Sequence, residues 1–253
     1  MVIQYCSDLH LEFIQNSLYL HKNPINPVGD ILVLAGDITY WGKKHFKHSF
    51  FDYISKRFKA VYYVPGNHEF YTGKDLRIID KPVFESIREN IWMVNNTSIA
   101  IEGVEFFFST LWSNIPIEKS LYIENNVSDF YKITYHGKDL NTDIFNELHE
   151  RSIAFLQQSI VKSKASKKVI VTHHVPSQLC NPEKYKTSII SPAFVTELHP
   201  LIYDIDVDYW IYGHHHDNMP EKEINGTKLV TNQLGYVHLN EHHEFKTSAF
   251  FEI

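Results

Sequence analysis

Ile31-Leu32-Val33-Leu34-Ala35-Gly36-Asp37 is the stretch on which the fold turns. Its apolar run has no alternation, as expected of a strand buried on both faces of a parallel sheet. It stops at a glycine, and the next side chain is a carboxylate. In a parallel sheet, ligands gather beyond the C-terminal strand ends, so Asp37 is expected to face a functional crevice. Its two oxygens suit it to bridging two cations, which an imidazole does not normally do.

The same punctuation recurs four times. Val2 to Cys6 reads as a strand and runs into Asp8-Leu9-His10. Ala60 to Val64 reads as another and turns through Pro65 into Gly66-Asn67-His68-Glu69. Lys167 to Thr172 ends at His173-His174-Val175-Pro176, and Asp208 to Tyr212 ends at Gly213-His214-His215-His216. Asp8/His10 and His214/His216 are each two residues apart, so on extended backbone both members of a pair can face one side. Two cations about 3.5–4 Å apart can clamp a phosphoryl group and activate water. Against roughly four positive charges, Asp8 and Asp37 remove only two, which leaves a field that attracts a phosphate anion.

Between these motifs the pattern is βαβ. Lys43 to Phe58 repeats apolar residues at helical spacing, and Asn141 to Lys162 is expected to be a long helix. Helices are also expected over Asp75 to Glu89 and Pro192 to Tyr203. Strands are expected over Ile91 to Val94, Ser98 to Ile101 and Val104 to Leu111, the last two joined by Glu102-Gly103 as a hairpin. Thr227 to Thr231 and Ser248 to Ile253 read as closing strands, residues 14 to 29 as loop, and Ile115 to Gly137 has too weak a periodicity to assign.

The chain has 253 residues, 43% apolar and 21% charged, enough for a sizeable core, and no linker or repeat divides it. It is expected to form one domain over residues 1–253. A net charge of −6 argues against a broad nucleic-acid surface, where a basic face supplies most of the affinity. Cys6 and Cys180 form no disulfide framework or zinc ribbon. No leader pattern and no bilayer-length apolar run is present, so a cytoplasmic location without membrane association is expected. Sixteen histidines are the compositional anomaly, and several sit at strand ends.

The ordered set D-x-H, G-D, G-N-H-E, H-H-x-P and G-H-x-H resembles the calcineurin-like metallophosphoesterases, over nearly the whole span from Asp8 to His216. The resemblance implies an α/β fold of two mixed β-sheets packed in a αββα four-layer sandwich. It implies one metal held by Asp8, His10, Asp37 and His216, and a second by Asp37, Asn67, His173 and His214. It further implies in-line attack of a metal-bound hydroxide, with His68 as the catalytic histidine at the leaving oxygen. The imidazole and oxygen donors favour Mn, Fe, Zn or Co. Glu69 is expected to orient its neighbours rather than act as a base.

The substrate is expected to be a small or medium phosphoester, with the lack of an arginine clamp near the motifs leaning toward diesters over monoesters. Tyr40, Tyr71, Trp112, His174 and His215 are candidate substrate-binding residues. Tyr40 also has the spacing of the purple acid phosphatase tyrosinate, but His10 is present and is expected to take that place. A protein serine/threonine phosphatase and a non-catalytic scaffold of the same fold are the competing readings.

Overall fold

The computed structural model describes residues 1–253. Seven strands occupy the first half: β1 (Val2–Cys6), β2 (Ile31–Ala35), β3 (Ala60–Val64), β4 (Val83–Arg88), β5 (Ile91–Asn95), β6 (Thr97–Ile101) and β7 (Val104–Ser109). A two-stranded hairpin, β8 (Thr134–Tyr135) with β9 (Lys138–Asp139), lies apart. The rest are β10 (Lys167–Thr172), β11 (Tyr209–Tyr212), β12 (Lys222–Ile224), β13 (Thr227–Thr231) and β14 (Phe250–Glu252).

They assemble into two six-stranded mixed sheets, in the orders β14-β1-β2-β3-β5-β4 and β12-β13-β11-β10-β7-β6. Each has four parallel strands at its centre and one antiparallel strand on either edge. The side-chain period of two explains how the layers stack. Ile31, Val33 and Ala35 point into the space between the sheets, where they meet Phe106, Phe108, Val169, Val171 and Ile211. Leu32 and Leu34 point the other way, toward Phe50, Phe51 and Ile54 of the helix α2 given below. On the outer face of the second sheet, Phe107, Ile170 and Trp210 pack with Leu156 and Ile160 of its long helix. Both faces of each sheet are therefore apolar, as the unbroken strand runs require, and the αββα layering follows.

The helices are α1 (Ile14–Lys22), α2 (Ser49–Ser55), α3 (Ile117–Asn126), α4 (Asp129–Lys132), α5 (Thr142–Lys162), α6 (Glu183–Lys186) and α7 (His199–Asp204). The long helix α5 starts where its cap predicts: Asn141 accepts from the Ile144 N–H at 2.9 Å.

Four segments differ from expectation. Residues 14–29, read as loop, contain α1, because buried Asn16 serves the tertiary structure by donating to Leu9 O and Gly235 O. Lys43–Phe58 is not one helix: His48 at ψ 137° breaks it and caps α2, its Nδ1 accepting from Phe50 N–H. Asp75–Glu89 is a 3₁₀ turn at Leu76–Ile79 followed by edge strand β4, which begins just after Pro82 and pairs with β5. Pro192–Tyr203 is helical only at its two ends, because Val195 forms a parallel bridge with Val175.

Candidate active site

Five loops leave the C-terminal ends of β1, β2, β3, β10 and β11 and converge between the sheets. Their backbones are bent sharply. Asp8, His10, Asp37, His214 and His216 all have positive φ, from 47° to 86°. Non-glycine residues rarely adopt that region, at a cost of about 1–3 kcal/mol each. Close approach adds a second constraint: a Cβ on Gly66 would collide with Asp37 Oδ1 and His173 Nε2. One on Gly213 would lie 2.6 Å from Asp8 Oδ2. Larger residues would push these side chains apart.

The hydrogen-bond network fixes which ring nitrogens are bare. His10 Nδ1 donates to Glu12 Oε1 at 3.0 Å, and His216 Nδ1 donates to Glu241 Oε2 at 2.7 Å. Their Nε2 atoms then face each other at 2.9 Å. His10 Nε2 is also 3.8 Å from Asp37 Oδ2, and His216 Nε2 is 3.5 Å from Asp8 Oδ1. On the other side of Asp37, His173 Nδ1 donates to Ala35 O at 2.9 Å. Its Nε2 points at His214 Nδ1 (3.0 Å), Asn67 Oδ1 (3.1 Å) and Asp37 Oδ1 (3.5 Å). Asn67 is held in this sense because its amide donates to Asp129 Oδ1 at 2.8 Å and Tyr71 OH at 3.2 Å.

Each half therefore gathers side-chain lone pairs that face one another, with backbone N–H groups of His214 on Asp8 and of His68 on Asp37 Oδ1 at their margins, an arrangement that a cation within would stabilise. His214 Nε2 is buried without a partner, so Nδ1 is the nitrogen that serves this cluster. Three groups of metal-capable side chains result: Asp8/His10/Asp37/His216 and Asp37/His173/His214, with Asp37 common to both, and His10/Glu12/His68 beside them. The donor set fits divalent cations.

The electrostatics of the pocket favour positive charge at the same place, whether carried by a cation or by a proton on a ring. Burial pulls His173 down, but the Asp37 and Asp8 carboxylates outweigh it and lift it to about 9. Burial likewise opposes His216, yet Asp8 and Glu241 raise it to about 10. Burial raises Asp37, but His173, His68 and His10 together draw it well below the usual carboxylate range. The pocket stabilises positive charge between its carboxylates.

His68 stands beside this centre. Its backbone N–H donates to Asp37 Oδ1 at 2.9 Å, and its Nε2 is 4.0 Å from Asp37 Oδ2 and 3.2 Å from Tyr236 OH. Its ring packs on Tyr71 with centroids 4.1 Å apart. Burial lowers its pKa, but Asp37 and Glu12 outweigh that and the net direction is up. Glu69 accepts backbone N–H bonds from Gly66 (2.6 Å), Ile38 (2.8 Å) and Asp37 (3.2 Å), and the Tyr63 hydroxyl. It ties the β2 and β3 loops together and has no free edge toward the cleft.

A cleft of about 450 Å³ opens over the centre. Asp37, Asn67, His68, His214 and His216 lie on its floor, and α3, α4 and the 181–194 segment form its far wall. Of the candidate substrate residues, Tyr71 and His215 line it. His215 is tied down by Nε2 to Cys180 O at 3.1 Å and Nδ1 to the Asp217 N–H at 3.1 Å. Trp112 is 1% exposed and packs with Phe70, Phe145 and His174 beneath the floor. His174 is fully buried, its Nδ1 on Thr110 O at 3.3 Å and its ring against His214. Tyr40 turns its ring edge-on to His45, outside the cleft. These three do not reach the cleft, because each is taken up by packing that local sequence does not reveal.

Four polar residues of the site lie outside the motifs. Glu12 continues the alternation Asp8-x-His10-x-Glu12, a signal open to reading. Asp129, which orients Asn67, falls in the stretch without periodicity. Glu241 and Lys132 carry no local signature; Lys132 lines the wall with its ammonium 4.7 Å over the Tyr71 ring.

The calcineurin-like phosphoesterase family model matches residues 1–218. The chain belongs to this family and is a metal-dependent hydrolase of phosphoester bonds. An uncharacterized protein of Acanthamoeba polyphaga mimivirus is 32% identical over 281 residues, covering 100% of this chain and 96% of the relative. Phosphopantetheinyl hydrolase from Mycobacterium tuberculosis superposes with a TM-score of 0.73 at 15% identity, covering 99% of this chain and 95% of that one. That likeness shows the shared fold. No helix is long and apolar enough to cross a membrane.

Proposed function

We propose that residues 1–253 act as one domain that hydrolyses a small or medium phosphoester, with diesters favoured over monoesters. Asp8, His10, Asp37 and His216 would hold one divalent cation, and Asp37, Asn67, His173 and His214 the other. The observation that carries this is the pair of clusters of facing imidazole and carboxylate lone pairs on the two sides of the Asp37 carboxylate. Bound there, two cations would supply Lewis-acid polarisation of the phosphoryl oxygens and a water of lowered pKa.

The chain's own groups do the rest. The water gives up a proton to solvent and its oxygen bonds to phosphorus as the opposite P–O bond breaks. His68, with Nε2 facing the cleft, gives its proton to the departing oxygen, a step worth about 10²–10⁴-fold. The aromatic rings of Phe13, Tyr185, Phe194 and Tyr236 on the walls suit a leaving group with some apolar surface. Lys132 is the one lysine or arginine that lines the cleft. A single flexible ammonium does not clamp a dianion as an arginine fork does, which supports a diester and weighs against a protein phosphatase. The full donor set together with His68 weighs against a scaffold.

The test is hydrolysis of nitrophenyl phosphate and bis-nitrophenyl phosphate by metal-stripped protein, with Mn, Zn, Fe or Co added back. Restored turnover with the diester faster is the expected result. Turnover of neither ester by protein that has taken up the metals would overturn the proposal.

A further inference from the structure

Glu12 has a buried side chain, 2% exposed, and does not itself line the cleft. One of its oxygens, Oε1, accepts from two imidazoles at the same distance: His10 Nδ1 at 3.0 Å and His68 Nδ1 at 3.0 Å. The other oxygen, Oε2, is buried without a partner. A carboxylate in that setting is anchored by the two rings alone. The rings themselves pack edge to face, 4.5 Å between centroids.

The consequence lies on the far side of each ring. With Nδ1 committed to Glu12, His10 turns its Nε2 toward His216 and Asp37, the cation side. His68 turns its Nε2 toward Tyr236 OH and the cleft, the leaving-group side. A carboxylate behind a histidine fixes its tautomer and stabilises the protonated ring. Here one oxygen does this for two rings of different duty, one of them on Glu12's own loop and the other 56 positions from Glu12.

We propose that Glu12 is the positioning residue of His68: it holds the ring with Nδ1–H directed inward, so that Nε2 carries the proton for the leaving oxygen. This rests on the phosphoesterase reading above. When the P–O bond breaks, the Nε2 proton moves to the departing oxygen. The ring is left neutral, with its Nδ1–H still bonded to Glu12. Through the shared oxygen, the same carboxylate keeps His68 in register with the ligand His10.

The test uses the full chain loaded with zinc, which is diamagnetic. Ring 15N spectra of the wild type should show His68 with a proton retained on Nδ1, and Glu12→Gln should shift that signal and release the proton to exchange. An Nε2–H tautomer for His68 in the resting wild type, or spectra unchanged by the substitution, would overturn the proposal. This arm needs no turnover, so it stands even if every ester proves inert and the phosphoesterase reading falls.

The kinetic arm uses aryl phosphodiesters of rising leaving-group pKa. Glu12→Gln should lower kcat by roughly 10–100-fold, with the loss growing as the leaving group becomes more basic, and with KM and zinc content held. In a His68→Asn background the same change should cost nothing further. A loss independent of the leaving group, one that multiplies with His68→Asn, or one fully explained by lost zinc would each contradict it.

Discussion

The two sheets share one plan, four parallel strands between antiparallel edges, yet they deliver different chemistry to the crevice they enclose. Strands β1, β2 and β3 of the first sheet lead to Asp8, Asp37 and Asn67, the oxygen donors, with His10 as that wall's one nitrogen donor. Strands β10 and β11 of the second end on His173 and His214, with His216 beyond, all nitrogen donors. Both negatively charged donors come from the first wall, and the second wall contributes imidazoles alone. Neither wall can neutralise a cation pair alone, and neither is stable facing the other without positive charge between them. The crevice is thus a property of the packed sandwich rather than of either half.

Replacing Asp37, the one oxygen donor that serves both clusters, should have the largest effect. Asp37→Asn keeps the shape but removes the shared charge, and should lower diester turnover by at least ~10³-fold with loss of metal, read together by assay and by metal analysis. His68→Asn follows, with kcat down about 10²–10⁴-fold and metal content unchanged. Equal activity in that variant would remove His68 from the chemistry.

On the second wall, His214→Ala should cost one ion while the Asp8/His10/Asp37/His216 group keeps the other, which metal analysis would register. Stripping all metal should lower the melting temperature. Ligand at 100-fold over its dissociation constant stabilises by about 2.7 kcal/mol per site. At roughly 2–4 °C per kcal/mol for a chain of this size, calorimetry should record a fall of ~5–20 °C for one or two sites. An unchanged midpoint would mean that the lone-pair clusters hold no ion.

The smallest effect is expected at the wall. Lys132→Ala should raise KM for a charged diester by ~2–5-fold with kcat unchanged, in keeping with about 0.2–1 kcal/mol for an exposed charge.

The strand-end motifs were legible in the sequence because the physics that makes them is local. An apolar run buried on both faces, a glycine where a backbone must pass close, and a donor just beyond are all written within a few residues. The layering was legible for the same reason, since Ile31 to Ala35 has no polar face to give to water.

What surrounds the donors is not local. Asp129 orients Asn67 across 62 positions, and Glu241 orients His216 across 25. Trp112 resembled a cleft aromatic but lies beneath the floor, because Phe70, Phe145 and His174 close around it. The helix expected over 75–89 fails on tertiary pairing: Val83 to Arg88 has a neighbour in β5 that supplies the hydrogen bonds a helix would have made internally. Residues 115–137 have weak periodicity because their helices are short and each sends only a residue or two into the core, Ile123 from α3 and Phe130 from α4.

The proposed pair of cations depends on two clusters of donors that share Asp37. The most direct measurement is the metal content per chain, by plasma mass spectrometry, of wild type and Asp37→Asn after reconstitution and desalting. About two ions per chain are expected in the wild type, with a fall to one or none in the variant. A wild type that retains no ion, or a variant that still holds both, would contradict the proposal.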